Sequence, residues 1–308
     1  MMHNQKTNHH VAVLMATYNG QFWWHQQIDS ILNQFYVDVT LIVSDDFSSD
    51  GTYEKLQALA RESSRVILLP RVSRAGSAGK NFYRLICDTD LAGFDYVAFA
   101  DQDDIWNLDK LSNHINLIKQ HEAEAASSDV LAFWQDGTQK LIVKSQPQQP
   151  YDFLFESAGP GCTFLMTPWL VNKVKDQLLN NEVAMEVTMY DWLTYAVCRA
   201  HERGWVIDAT PSMRYRQHSN NVIGANAGFK AILSRLKKIN SGWYRHEVAL
   251  IARVVASINP NKKLSKLQKI IQGNSIFDQF RLLPYALRGR RKLTDRLVLM
   301  LSVLFFIF

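Results

Sequence analysis

The chain has 308 residues, 47% of them hydrophobic and 20% charged, which excludes a disordered chain and leaves room for a sizeable core without disulfide staples. Its formal charge of +5 hides a segregation: 18 Lys+Arg stand against 26 Asp+Glu up to Gly228, then 16 against 3 from Phe229 onward, so the rear of the chain suits an anionic partner. The three cysteines, Cys87, Cys162 and Cys198, lack zinc spacing and are odd in number, which argues against a zinc finger or a disulfide framework and for a reducing compartment.

Residues 1–10 are polar and lack the apolar run of a secretion signal; His9 and His10 read as loose surface ahead of the first strand. Residues 11–16 (VAVLMA) read as a buried strand and 21–34 as a helix. A second strand is expected over 39–44, a helix from Gly51 to Arg61, a third strand over 65–69, a helix over 79–88 and a fourth strand over 95–100. Continuous Val/Ile/Leu runs alternating with helices predict a mostly parallel sheet covered on both faces. Such sheets bind ligands beyond the C-terminal ends of their strands.

The stretch 127–150 reads as short strands and a polar loop. Residues 162–167 (CTFLMT) predict a strand after the turn Ser157–Gly161. A helix from Pro168 to Leu179 begins with proline, which suits a first turn. Another runs from Tyr190 to Glu202, and short strands over 205–208 and 212–216 are separated by Pro211. From Phe229 the pattern is helical, basic and amphipathic. The last twelve residues (LVLMLSVLFFIF) carry no charge. As a helix they span about 18 Å against a hydrocarbon core of about 30 Å, which favours a monotopic anchor or a partner contact over a full span.

Three strand ends carry the chemistry: Thr17-Tyr18-Asn19-Gly20, the run 45–52 (DDFSSDGT), and 101–104 (DQDD). Parallel strands open all three on one edge. Carboxylates gathered in one crevice repel each other and call for a cation, although DQDD by itself equally suits an acidic turn ahead of a helix near Asn107. Asp45 or Asp46 can accept the imide N–H of a pyrimidine, whereas Asp50, before Gly51-Thr52, reads as a structural helix cap. Asp191 stands at a helix start, where a carboxylate is either a favourable dipole contact or a general base. In 214–221 (RYRQHSNN), His218 is a candidate metal ligand and Arg214 and Arg216 are candidate phosphate partners; an ordinary polar strand exit is the bland alternative. Residues 76–80 (GSAGK) lack the earlier glycine and closing Ser/Thr of a phosphate-binding P-loop. Trp23-Trp24 offers a sugar platform, but its helical spacing favours core or surface packing, and Cys162 reads as a small buried hydrophobe.

Taken in order, 13–19 (VLMATYN), 43–52 (VSDDFSSDGT), Asn81-Phe82, 101–106 (DQDDIW), 159–165 (GPGCTFL), 191–192 (DW) and 215–224 (YRQHSNNVIG) resemble the motifs of family 2 glycosyltransferases, closest to the rhamnosyltransferase-like branch. The resemblance covers residues 10–225. It implies an α/β GT-A fold, a Rossmann-like mixed, mostly parallel sheet with flanking helices. The catalytic domain would span 1–228, with a nucleotide-sugar half over about 10–125 and an acceptor half over about 126–228. Residues 229–308 would be a basic helical extension ending in an apolar tail.

The resemblance also implies roles. Thr17, Tyr18, Asn19 and Asn81 line the nucleotide pocket, Asp45 or Asp46 meets the base, and Asp101 lies near the ribose or sugar. Asp103 and His218 hold a divalent metal, Mg²⁺ or Mn²⁺, and Asp191 is the catalytic base. Asp104, Trp106, Gly161, Cys162, Trp192 and Arg216 are candidates for acceptor or phosphate contacts. The implied reaction is an inverting transfer from dTDP-rhamnose or a UDP-hexose to a saccharide, lipid-linked, in O-antigen or capsule synthesis. The protein is then expected at the inner face of the plasma membrane, peripheral and cytoplasmic, touching anionic lipid through its C-terminal region. An oligomer is compatible with this, and no nucleic-acid module is recognised. A non-catalytic nucleotide-sugar-binding or assembly protein that keeps the fold is the alternative. Two features depart from the pattern: Tyr190 stands where many relatives carry histidine, and 71–80 (RVSRAGSAGK) is long and basic.

Overall fold

The computed structural model describes residues 9–218, 242–273, 275–305 and 308. Four strands run parallel in the order β3 (Val66–Leu68), β2 (Val37–Asp45), β1 (His9–Thr17) and β4 (Tyr96–Ala100). β9 (Leu165–Met166) joins antiparallel between β4 and β6 (Ala125–Ser128), and β10 (Trp205–Asp208) closes the far edge. A second sheet has the order β5 (Ile105–Trp106), β11 (Met213–Arg216), β7 (Val130–Phe133) and β8 (Gln139–Ile142).

The apolar run of β1 follows from double coverage. Ala12 and Leu14 enter one buried cluster and Val11, Val13 and Met15 the other, because alternate side chains point to opposite faces of a strand. One face packs on α1 (Trp24–Leu32), α2 (Thr52–Glu62) and α4 (Lys110–Gln120). The opposite face packs on α3 (Ala78–Asp88), α5 (Pro168–Asn180), α6 (Glu182–Glu186) and α7 (Tyr190–Ala200). Four C-terminal helices continue that second core: α8 (Trp243–Ile258), α9 (Lys262–Gln272), α10 (Ile276–Ala286) and α11 (Leu293–Leu304). Ile251, Leu267, Leu282 and Val303 belong to the same cluster as Leu14 and Phe99.

Several expectations are corrected. His9 and His10 lie within β1, where His10 Nε2 is 3.0 Å from Thr40 Oγ1; pairing with β2 extends the strand beyond its apolar run. The first helix starts at Trp24, because residues 20–23 close a turn, with Trp23 N donating to Gly20 O at 3.1 Å. The strand expected over 162–167 shrinks to Leu165–Met166. Residues Gly161–Thr163 form a 3₁₀ turn closed by the Thr163 hydroxyl on Pro160 O at 2.7 Å. The motif residues 219–224 and the helix start at Phe229 lie outside the described residues. Among the described residues no helix is long and apolar enough to cross a membrane.

Candidate active site

The β1–β2 register pairs Thr17 with Asp45, and Met15 pairs with Ala100 at the end of β4. The three motif loops therefore leave the sheet side by side. Asn81 ties two of them together: its amide donates to Ser44 O at 2.9 Å and to Thr17 O at 3.4 Å, and its oxygen accepts from Ser44 Oγ at 2.6 Å. At 2% exposure it is a brace beneath the pocket rather than part of its lining.

Asp45 is fully buried and its oxygens are engaged. It accepts from the Thr17 hydroxyl at 3.0 Å, from Ser48 N at 3.0 Å and from Arg71 Nε at 2.9 Å. The Arg71 guanidinium stacks 3.8 Å from the Tyr53 ring centroid. Asp46 accepts from the backbone N–H of Ala75 and Gly76 at 2.5 and 2.8 Å. The long basic loop is thus pinned across the strand ends by both carboxylates of the motif. Arg74 donates to the Tyr18 hydroxyl at 2.8 Å, and Gln102 exchanges two bonds with the Tyr18 backbone. Asn19 adopts φ 48°, a left-handed conformation asparagine tolerates, and its side chain accepts from Ser49 N at 2.9 Å. Asp50 is structural as expected, but it acts from one residue before the cap: Thr52 N and Gln21 N donate to it at 3.0 Å each. Those hydrogen bonds outweigh burial and leave its pKa below the ordinary value.

The acidic centre follows β4. His218 Nε2 stands 2.5 Å from Asp103 Oδ2, and its ring stacks on Trp23 at 4.8 Å between centroids. Arg216 donates through Nε to Asp103 O at 2.7 Å and through its backbone N–H to Asp104 Oδ1 at 2.9 Å. Ligand atoms of Asp101, Asp104 and Cys162 lie within 4.8 Å of one another. Burial, then the Asp103 charge, pushes Asp101 up to about 7, and the same two causes lift Asp104 well above the carboxylate range. Asp104 Oδ2 is buried with no hydrogen-bond partner. Carboxyls that burial and mutual repulsion drive toward protonation, one with an oxygen lacking a partner, are what a divalent cation would hold ionised, and hard oxygen donors suit Mg²⁺ or Mn²⁺. The Cys162 thiol does not suit them: burial and the two aspartates keep it protonated.

Asp191 sits in the first turn of α7, 7% exposed, with Oδ1 accepting from Trp192 N at 2.8 Å. Burial pushes it up to about 6, against the opposing hydrogen bonds from Trp192 N–H and the Ser157 hydroxyl and the charge of Lys144. The start of this helix is held from two sides. Glu247 of α8 accepts from Thr188 N at 3.1 Å, and Gly79 of α3 lies so close to Thr188 O that a Cβ would collide with it. Gly161 has the same relation to the Tyr190 ring, which stacks on Phe82 at 3.8 Å.

Two residues expected at the acceptor side are core residues. Trp192 donates to Phe153 O at 2.9 Å and stacks on Tyr244. Trp106 is 2% exposed beneath Lys110, whose Nζ is 3.2 Å from its ring centroid and 2.9 Å from Cys162 O. Conversely, Trp23 and Arg71 contact candidate site residues, and Ser157 and Lys144 influence Asp191, although no local motif assigns them there. Only the basic character of 71–80 hinted at one of them.

Comparison with known proteins agrees with this geometry. The family model "Glycosyl transferase family 2" matches residues 12–168. The chain is 39% identical over 299 residues to the "dTDP-rhamnosyl transferase RfbG" of Shigella flexneri, covering 96% of this chain and 100% of that protein. It is 30% identical over 153 residues, 50% of this chain and 58% of the relative, to the Escherichia coli "UDP-Glc:alpha-D-GlcNAc-diphosphoundecaprenol beta-1,3-glucosyltransferase WfaP". Among solved structures, S. aureus TarS 1-349 in complex with UDP-GlcNAc superposes with a TM-score of 0.54 at 14% identity, over 95% of this chain and 90% of that one. With a parallel-rich GT-A sheet opening its strand-end loops onto one acidic cleft, the chain belongs to glycosyltransferase family 2 and is a rhamnosyltransferase-like glycosyltransferase.

Proposed function

We propose that the protein transfers a sugar, with inversion, from dTDP-rhamnose or a UDP-hexose to a hydroxyl of a lipid-linked saccharide during surface polysaccharide synthesis. What supports the reading is that a buried carboxylate pushed up to about 6, Asp191, lies close enough to the carboxylate cluster Asp101–Asp104 for its charge to raise Asp101. The near full-length similarity to a dTDP-rhamnosyl transferase directs the donor choice. Similarity to a glucosyltransferase whose named acceptor is a diphosphoundecaprenol-linked sugar directs the acceptor choice.

The acceptor oxygen attacks the anomeric carbon as the bond to the diphosphate oxygen breaks, and the electron pair leaves with the diphosphate. Asp191 takes the acceptor proton. A carboxylate near pKa 6 is largely ionised at neutral pH yet basic enough to accept it. Asp103 and His218, with Asp101 and Asp104 beside them, would hold a divalent cation, Mg²⁺ or Mn²⁺, which when bound would supply positive charge to the leaving diphosphate. Thr17, Tyr18 and Asn19 border the nucleotide, and Asp45 or Asp46 meets its base. The half up to about residue 125 receives the donor and the half over about 126–228 the acceptor. A bilayer-held acceptor places the reaction at the inner face of the plasma membrane, with the chain bound peripherally.

Calorimetry with dTDP, UDP and GDP, each with Mn²⁺ and with excess EDTA, tests the reading. Tight, metal-dependent binding of dTDP is expected. Preferential binding of UDP would move the donor to a UDP-hexose, and a folded protein that binds none of the three would overturn the transferase assignment.

A further inference from the structure

The apolar C-terminal tail divides in the folded chain. α11 buries Leu299 and Val303 in the core, and Phe308 packs on Phe155 and Tyr244. Its other apolar side chains face outward, and α10 carries a matching set that hydropathy alone does not reveal. Ile276, Phe277 and Phe280 are 59%, 75% and 54% exposed, and Leu297, Leu301 and Phe305 are 45%, 45% and 68% exposed. Spacings of three and four residues onto Phe280, and of four between Leu297, Leu301 and Phe305, keep each set on one stripe of its helix. Phe280 and Leu283 share a crevice with Val303 and Leu304, so the two stripes meet across the helix pair. Of the 22 large hydrophobic side chains exposed among the described residues, ten lie between 276 and 305. Such a concentration marks an interaction surface.

Charge selects the occupant. Arg281, Arg288 and Lys292 are exposed along the same hairpin, whose only acidic residues are Asp278 and Asp295. A second copy set face to face would bring like charges together, whereas an acidic bilayer surface complements them. Helices of 11 and 12 residues cannot cross a bilayer, but they can lie in its interface.

We propose that the α10–α11 hairpin is a monotopic docking element that sinks its apolar stripe into an anionic bilayer and sets Arg281, Arg288 and Lys292 on the lipid phosphates. This deepens the lipid-linked acceptor reading and rests on it for its purpose. The connector between the two helices is fastened to the catalytic cleft: Arg291 donates its backbone N–H to Glu156 Oε1 and its Nη2 to Ser157 O, both at 2.6 Å. A docked hairpin therefore holds the cleft in a fixed attitude to the membrane.

The test is flotation of the full chain with vesicles of phosphatidylcholine, with and without phosphatidylglycerol. Binding to the anionic vesicles is expected to be about tenfold or more tighter, and to weaken with salt. The double variant Phe277→Asp/Phe305→Asp alters only side chains at least two-thirds exposed, 75% and 68%, so its thermal melt and dTDP binding are expected to match wild type while vesicle partitioning falls about tenfold or more. Arg281→Glu/Arg288→Glu is expected to remove the preference for phosphatidylglycerol. Equal binding to both vesicle types, or undiminished binding by the double Phe variant, would overturn the proposal. So would a chain that avoids vesicles and sediments as a dimer that the Phe variant dissociates. None of these readouts uses a sugar donor, so a failure of docking is distinguishable from a failure of the transferase reading.

Discussion

Arg291 and Asp152, 139 residues apart in sequence, form a buried ion pair, with Arg291 Nη1 3.4 Å from Asp152 Oδ2. Arg199 reaches the other oxygen of Asp152 at 3.2 Å, and the Tyr195 hydroxyl donates to it at 3.0 Å. The same arginine braces Ser157 O, and the Ser157 side chain, which donates to Gly159 O at 3.0 Å, lies near enough to Asp191 to oppose the rise of its pKa. The C-terminal region is thereby part of the wall around the candidate base. Arg291→Ala leaves Asp152 and Glu156 underpaired in the core, and a loss of about 3–5 kcal/mol is expected. Urea denaturation measures it; a loss no larger than that of an exposed arginine would remove the brace.

Asp191→Asn keeps the shape of the side chain and removes its basicity. Turnover is expected to fall about 10²–10⁴-fold while nucleotide affinity is unchanged. Steady-state kinetics beside calorimetry separate the two, and an equal loss in both would withdraw the role of base. In the wild type, turnover should climb as pH rises through about 6, where Asp191 ionises. The stability effect has the opposite sign. A carboxyl whose folded pKa is raised contributes stability at low pH that is lost as pH rises through about 6.

Asp103→Ala removes the carboxylate nearest His218. Nucleotide binding by this variant is expected to lose its dependence on Mn²⁺, so that EDTA no longer weakens it. Retained metal dependence in calorimetry would take Asp103 out of the metal site.

His114 is fully buried in α4, and neither ring nitrogen has a hydrogen-bond partner. Burial, then the charge of Lys110, lowers it to about 3. The unfolded chain binds this proton near pH 6.5 and the folded chain does not, so stability falls as pH drops from about 6.5 toward 3. His114→Leu removes two desolvated polar atoms and this proton linkage. It is expected to gain about 1–2 kcal/mol at neutral pH and to flatten the acid limb of the stability curve. Denaturant midpoints at pH 7 and pH 5 check both effects.

Gly79→Ala sets a methyl group against the backbone carbonyl of Thr188, which cannot rotate away as a side chain would. A loss of about 1–3 kcal/mol is expected, with lower turnover because Thr188 leads into the helix of Asp191. A thermal melt and a turnover assay on the same sample test the pair, and an unchanged melt would show that the loop yields freely.

The strand-end carboxylates were legible in the chain because a strand covered on both faces must be apolar along its length. Runs such as Val11–Met15 therefore declare their ends, and the polar residues that follow them stand out. Asp45, Asp101 and Asp103 were found this way, and the family resemblance gathered them with Asp191 and His218. Segments that differ from the local reading owe their form to neighbours: His9 and His10 pair with β2, and the Thr163 hydroxyl closes a turn on Pro160 O, while Leu299 and Val303 of the apolar tail are claimed by the shared core. Tertiary structure alone decided which side chains serve the site. Trp23 reaches His218 across 195 positions, Arg71 reaches Asp45 across 26 and Arg291 reaches Ser157 across 134. Such contacts have no period or spacing in the sequence, because they depend on where the sheet and its covering helices bring distant loops together. The same packing buried Trp106 and Trp192, whose motif positions pointed to a ligand, and left the outward stripe of α10 without a covering partner among the described residues.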